Sequence, residues 1–163
     1  MKYNNGYYYE GNWINDIRNG KGILYKNEED YKIIINNKNN EINNLFKCKN
    51  DFYIGEYKNN IKEGEGIMSN KEILNYKIIY EGEFKEDKKD GKGKLYFKNG
   101  SIFEGNWKKN NINKSKESML YINNLIKIKK NLNKNEWIKL IIMNFISYYG
   151  NKNIIIPNKI NIK

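Results

Sequence analysis

"YYYEGNWINDIRNGKG", residues 7–22, sets aromatic rings and glycines at alternate positions. Two residue types with opposed conformational preferences are here combined in one register. Anchored on Tyr9, the stretch reads Tyr9, Gly11, Trp13, then Gly20 and Gly22. "YIGEYKNNIKEGEG" repeats the same offsets at Tyr53, Gly55, Tyr57, Gly64 and Gly66, and "YEGEFKEDKKDGKG" repeats them at Tyr80, Gly82, Phe84, Gly91 and Gly93. A further copy, "FEGNW", places Phe103, Gly105 and Trp107, but Lys114 and Lys116 take the places of its second glycine pair. Between the first two anchors, Tyr31 sits at the midpoint, so residues 31–52 read as a degenerate unit that kept its length and lost its glycines. The units fall near 9–30, 31–52, 53–79, 80–102 and, in part, 103–122, inside an array spanning 7–122.

Strand geometry explains the pattern. Alternate residues of a strand share a face, so Tyr9, Gly11 and Trp13 point one way. Glycine weakens a strand unless something must come close to the backbone, and a neighbouring ring is such an object. The expected unit is a β-hairpin whose Gly-x-Gly opens the second strand. The polar segments "INDIRN" and "KEDKKD" make the turns, with Asn5-Gly6, Asn19-Gly20, Asp90-Gly91 and Asn99-Gly100 as turn signals. Such a hairpin cannot bury its aromatic face alone and must stack on its neighbours. On this reading Gly11→Val and Gly82→Val are destabilising, while the same change at the turn residue Asn60 is tolerated.

"YEGNW…NGKG", "YIGEY…EGEG" and "YEGEF…DGKG" resemble MORN repeats, whose pattern is Tyr-x-Gly-x-Trp followed by Gly-x-Gly. The resemblance is specific in three units and departs in the second and fifth. An insertion, "SNKEILNYK", lengthens the unit at 53–79. Choline-binding repeats also combine glycine with aromatics but lack a Gly-x-Gly seven residues past the strand's last aromatic. The resemblance implies a mainly β fold of consecutive antiparallel hairpins forming an elongated twisted sheet. MORN repeats occur in membrane-junction proteins, in cytoskeletal and cell-division scaffolds, and beside kinase or methyltransferase domains. No such catalytic domain is legible here, so the implied role is a scaffold.

Charge divides the chain. Residues 1–107 hold 18 Lys+Arg against 17 Asp+Glu, whereas residues 108–163 hold 12 lysines against Glu117 and Glu136. The array is near neutral, which argues against nucleic acid stacking on Tyr7, Tyr8 or Tyr25, and the 123–163 segment is strongly basic. Asn, Lys and Ile dominate the chain, and their A/T-rich codons dilute the meaning of any single lysine or asparagine. From Trp137 the apolar residues follow helical spacing, with Asn135 as cap and Gly150 at the end, which predicts a helix over 136–149. "NIIIP" after it reads as a short strand. The helix either covers the open end of the array or docks on an anionic surface, with Lys127, Lys129, Lys130, Lys134 and Lys139 around it and Trp137 available to insert.

Chemistry is sparse. The chain has no histidine and one cysteine, Cys48, which removes the histidine-based triads, the usual zinc sites and an internal disulfide. No phosphate-binding loop is present, since each Gly-Lys-Gly belongs to the repeat. The acidic clusters Glu28-Glu29-Asp30 and Glu86-Asp87-Asp90 are read as solvated turns without calcium-loop spacing. The expectation is therefore no enzymatic activity, no cofactor and no metal. A protein partner is expected at the aromatic face, an anionic phospholipid surface is the alternative through the basic segment, and an open array leaves room for a homo-oligomer. The lone cysteine and the absence of a signal-peptide pattern point to an intracellular, cytoplasmic location, peripheral to a membrane or the cytoskeleton.

Overall fold

A computed structural model describes residues 1–37, 41–73, 76–98, 100–113, 118–122 and 126–130. They form one antiparallel sheet. Its strands are β1 (Tyr8–Ile14), β2 (Ile17–Tyr25), β3 (Phe52–Lys58), β4 (Ile61–Ile73), β5 (Tyr76–Lys85), β6 (Lys88–Phe97), β7 (Ile102–Lys108), β8 (Asn111–Ile112), β9 (Ser118–Ile122) and β10 (Ile126–Lys130). Each strand pairs with the next in sequence as far as β7, which pairs with both β8 and β9, and β10 closes the order. The mainly β class and the consecutive hairpins follow from the sequence reading.

The hairpin turns are shorter and lie earlier than the sequence suggested. Asn15-Asp16, Asn59-Asn60, Glu86-Asp87 and Lys109-Asn110 all have positive φ at both positions, the signature of two-residue type I′ turns. Asn19-Gly20 and Asp90-Gly91 are not turns but lie inside β2 and β6. The strands begin three residues ahead of each Gly-x-Gly because the tight turn leaves no slack. The insertion at 69–77 is absorbed largely as extra length in β4 and β5. The partial last unit has an interrupted second strand: β8 pairs with Trp107 and Lys108, and β9 with Ile102 to Glu104.

The unit expected at 31–52 is overturned. Residues 28–35 form helix α1 (Glu28–Ile35) and residues 42–45 form α2 (Ile42–Leu45), and β2 pairs directly with β3. Regular helix thus stands inside the array, where a degenerate hairpin was expected. Local chemistry accounts for α1. The Asn27 side chain accepts from the Asp30 N–H, and Glu28, Glu29 and Asp30 sit in the first turn where the helix dipole favours them. Without glycine, the segment also has no way to continue the backbone row described next. The helix expected at 136–149 and the strand at "NIIIP" lie outside the described residues.

Gly11, Gly22, Gly55, Gly66, Gly82, Gly93 and Gly105 stand in register, one per strand from β1 to β7. Rings lie across this row. The Tyr9 ring covers Gly11 and Gly22, Tyr53 covers Gly55 and Gly66, and Tyr80 covers Gly82 and Gly93. Trp13, Tyr9, Tyr57, Tyr53, Phe84, Tyr80, Trp107 and Phe103 form an unbroken chain of edge-to-face contacts, with centroids 4.9–5.9 Å apart. This arrangement suits the ring quadrupole and buries the rings against one another.

The opposite sheet face has its own core. Ile34 of α1, Leu45 of α2 and Cys48 pack on Phe52 and Ile79, with Ile23, Ile54, Ile67 and Tyr96 at the margin. The helical insertion therefore covers this face beside the glycine row. Asp30, read as a solvated turn residue, is 1% exposed. Its carboxylate accepts from the Lys49 N–H at 2.6 Å, the Asn50 N–H at 3.1 Å and the Asn50 side-chain amide at 2.9 Å. It fixes the chain where α2 hands over to β3. Lys77 donates to the Cys48 carbonyl from the sheet side. Tyr31 bonds Glu10, which with burial pushes its phenol up to about 12, and it stacks on Tyr25 at 4.6 Å.

Candidate interaction surface

Three of the aromatic hairpins lose ladder register at one position. The ladder shifts register between Gly11 and Trp13, between Gly55 and Tyr57, and between Gly82 and Phe84. At each shift the one residue three past the anchor faces three of the second strand. The bulge therefore lies on the second strand around Gly20, Gly64 and Gly91, and a bulge leaves backbone groups outside the ladder. The anchor tyrosines answer this. Tyr9 donates to the Asn12 carbonyl at 3.2 Å, Tyr53 to that of Glu56 at 3.0 Å, and Tyr80 to that of Glu83 at 3.1 Å. Tyr57, four past its anchor, buries its hydroxyl without a partner among the described residues. Phe84 and Trp107 fill the equivalent position with no hydroxyl at all. Tyr80→Phe should therefore cost about 1 kcal/mol, while Tyr57→Phe should be neutral or stabilising. Urea midpoints of the two variants check this, and equal losses would contradict it.

Basic side chains hold a second repeating position that the sequence reading missed. Nine residues past each anchor stand Arg18, Lys62 and Lys89. The Arg18 guanidinium lies 4.7 Å from the Tyr57 centroid, Lys62 lies 4.8 Å from Tyr53, and Lys89 lies 4.9 Å from Tyr80 and 5.4 Å from Trp107. Desolvation, with Arg18 and Lys89 nearby, lowers the Lys62 ammonium below its ordinary range despite Asp87. The cations seal the ring chain.

Each of the three later turns also clamps the preceding repeat. The second turn residue takes both backbone groups of the position-nine residue before it. Asn60 accepts from the Arg18 N–H at 2.8 Å and donates its own N–H to the Arg18 carbonyl at 3.0 Å. Asp87 does the same to Lys62, at 2.9 and 3.1 Å, and Asn110 to Lys89, at 2.8 and 2.9 Å. Asn60 also binds the Arg18 guanidinium through its side chain and carbonyl. The expected tolerance at Asn60 is thus corrected. Its φ is +68°, hostile to a branched side chain, and its amide holds a junction. Asn60→Val should cost about 2 kcal/mol, read from thermal or urea unfolding, and a loss within half a kcal/mol would refute the clamp.

The repeat-defining residues, Tyr9 through Trp107, all lie on β1–β7 in the registers above, and the structure gathers their rings into one core. Tyr57, Phe84 and Trp107 are only 3, 3 and 5% exposed, whereas Trp13 is 37% exposed. The aromatic face expected to receive a partner is therefore spent on internal packing, except at its β1 end. Of the basic residues singled out, Lys127, Lys129 and Lys130 fall on β10, in register with Tyr121, Met119 and Ser118. Lys134, Trp137 and Lys139 lie outside the described residues.

Two open hollows adjoin on the other face, about 660 and 570 Å³. Glu65 and Glu81 line both, with Glu10, Glu56 and Lys21 in the larger and Glu104, Lys92 and Lys94 in the smaller. Ile23, Ile54 and Ile67 give the larger an apolar wall. Burial, then Glu83, Glu56 and Glu81, holds the Glu65 carboxyl above its usual range. Glu81 accepts from the Tyr96 hydroxyl, and Glu83 from the Lys92 N–H. Among the described residues no group of His, Cys, Asp and Glu is placed to hold a metal ion, and no helix is long and apolar enough to cross a membrane. Burial pushes the Cys48 thiol up to about 11, so at neutral pH it is protonated and a poor nucleophile. The family model described as MORN repeat matches residues 9–28, 53–70 and 80–102. No curated protein matches the chain.

Proposed function

The chain is a MORN-repeat protein, and from that premise we propose that it is a non-catalytic scaffold whose partner contact lies on the face opposite the rings. One observation carries this reading. The rings are consumed in the core, while the facing surface keeps an open, glutamate-lined groove with an apolar wall of Ile23, Ile54 and Ile67. Five glutamates and three lysines line the two hollows, so an extended basic segment of a partner protein complements it. Titrating the chain with a synthetic peptide of alternating lysine and isoleucine tests the reading. Binding should be saturable, weaken at least tenfold in about 0.5 M salt, and weaken further in Glu65→Gln/Glu104→Gln. Binding indifferent to both salt and the two substitutions would overturn the groove assignment.

The charge division between 1–107 and 108–163 supports a second reading, contact with anionic phospholipid through the basic segment. Lysines near such a surface contribute about 1 kcal/mol each. Co-sedimentation with phosphatidylserine vesicles should then fail when Lys127, Lys129, Lys130 and Lys134 are changed to Gln. Sedimentation unaffected by those changes would remove this reading.

A further inference from the structure

We propose that the outer edge of β1, from Gly11 to Asp16, is a vacant inter-repeat junction. It takes an extended strand of another polypeptide that carries a cation followed by Gly-x-Gly. This does not depend on the groove.

The array itself shows what such an edge receives. At each internal junction the second strand of one repeat lies along the first strand of the next. Gly22 faces Gly55, Gly66 faces Gly82, and Gly93 faces Gly105. The position-nine cation of the earlier repeat bonds the turn of the later one through its backbone, as Arg18 does to Asn60, Lys62 to Asp87 and Lys89 to Asn110. Arg18 and Lys89 also reach over the ring four past the next anchor. Asp16 and Trp13 are the counterparts of Asn60 and Tyr57 in the first repeat. Among the described residues no strand pairs with them on this side. Trp13 is 37% exposed where its counterparts are 3–5% exposed. Residues 1–3 fill only the far half of this edge, through Met1 on both backbone groups of Tyr9 and the Tyr3 N–H on the Tyr7 carbonyl. An unpaired strand edge is a template for strand addition.

Chemistry selects the occupant. Asp16 at the edge and the open Trp13 face favour a cation. The three Gly-x-Gly strands of this chain are already paired on both sides. Residues 131–163 contain Gly150 alone and therefore no Gly-x-Gly. A second copy offering its own β1 would bring a second Asp16 and no cation, since residues 8–16 hold neither lysine nor arginine. A repeat hairpin of a different chain meets every requirement.

The probe is the capped peptide Ile-Arg-Asn-Gly-Lys-Gly, the sequence of residues 17–22, titrated into the isotope-labelled full chain and followed by NMR. Saturable shifts should localise to the amides of Gly11 to Asp16 and the Trp13 indole. Affinity should fall at least tenfold for the peptide with Arg changed to Glu, and for the peptide with both glycines changed to valine. Asp16→Gly keeps the positive-φ turn and removes the acceptor, and should weaken binding similarly. Because the peptide variants use the unaltered protein, a folding defect in Asp16→Gly leaves the test intact. No localised shift at millimolar peptide, or shifts equal for all peptides, would overturn the proposal. Edge amides already protected from exchange in the free chain, by its own tail or by a second copy, would overturn it too.

Discussion

Gly82→Val should destabilise the chain by at least about 3 kcal/mol, the largest loss expected from any single change in the repeats. Gly82 lies inside the glycine row, with Gly66 on one side and Gly93 on the other. A Cβ there would stand 2.5 Å from the Gly93 Cα and closer still to the Lys92 carbonyl, with the Tyr80 hydroxyl at 2.8 Å. Two of these three obstacles are backbone of the adjacent strand, which cannot rotate away as a flexible side chain would. Relief requires moving β6 or lifting the Tyr80 ring, and that ring touches both Phe84 and Trp107. The disturbance thus spreads to the next repeat. Gly100→Val is the control: its φ is also positive, but nothing lies within 4 Å of the added atom. The difference between the two urea midpoints isolates the close approach from the backbone strain. A Gly82→Val loss no greater than that of Gly100→Val would sink the account of the glycine row.

Asp30→Ala should cost about 3 kcal/mol and release the helical insertion ahead of the sheet. The substitution leaves the Lys49 and Asn50 N–H groups and the Asn50 amide without their acceptor at a buried site. Cys48 reports the event directly, since it is buried 18 residues away in sequence and its Sγ lies 3.8 Å from the Asp30 carbonyl. In the unaltered chain a thiol reagent should react with Cys48 only through opening of the insertion. Asp30→Ala should raise that rate by a factor on the order of 100, following the stability lost. Asp30→Asn keeps an acceptor oxygen of the same reach and should fall between the two. An Asp30→Ala protein with unchanged Cys48 reactivity would show that the carboxylate does not hold the insertion.

The glycine–aromatic alternation made the sheet legible because it reflects one steric requirement, a ring lying on bare backbone, that no other residue type meets. The turns were misplaced for a related reason. Asn-Gly and Asp-Gly are strong hairpin signals, yet here Asn19-Gly20 and Asp90-Gly91 serve the ladder, with Gly20 and Gly91 taking positive φ within their strands. The actual turns use Asn, Asp, Glu and Lys, which carry less signal in a chain so rich in Asn and Lys. The same composition hid the clamp formed by Asn60, Asp87 and Asn110. It also hid the cations Arg18, Lys62 and Lys89, although all share fixed offsets from their anchors. Residues 31–52 were misread because length alone suggested a repeat; the cap Asn27 and the acidic first turn were there to argue otherwise. The groove could not be foreseen, since its glutamates come from five different strands and meet only through register.

Replacing one hairpin by helices sets the order in which the chain can assemble. β3 to β7 follow one another through short connections, so their pairings are local and form early. β2 meets β3 only across residues 26–51, and that closure carries the entropy of a long loop until the insertion docks. The first hairpin should therefore join a sheet that already exists, as the last and slowest step at that end. Until it does, Tyr57 lacks Tyr9 and Arg18, and β3 is transiently the bare edge of the array.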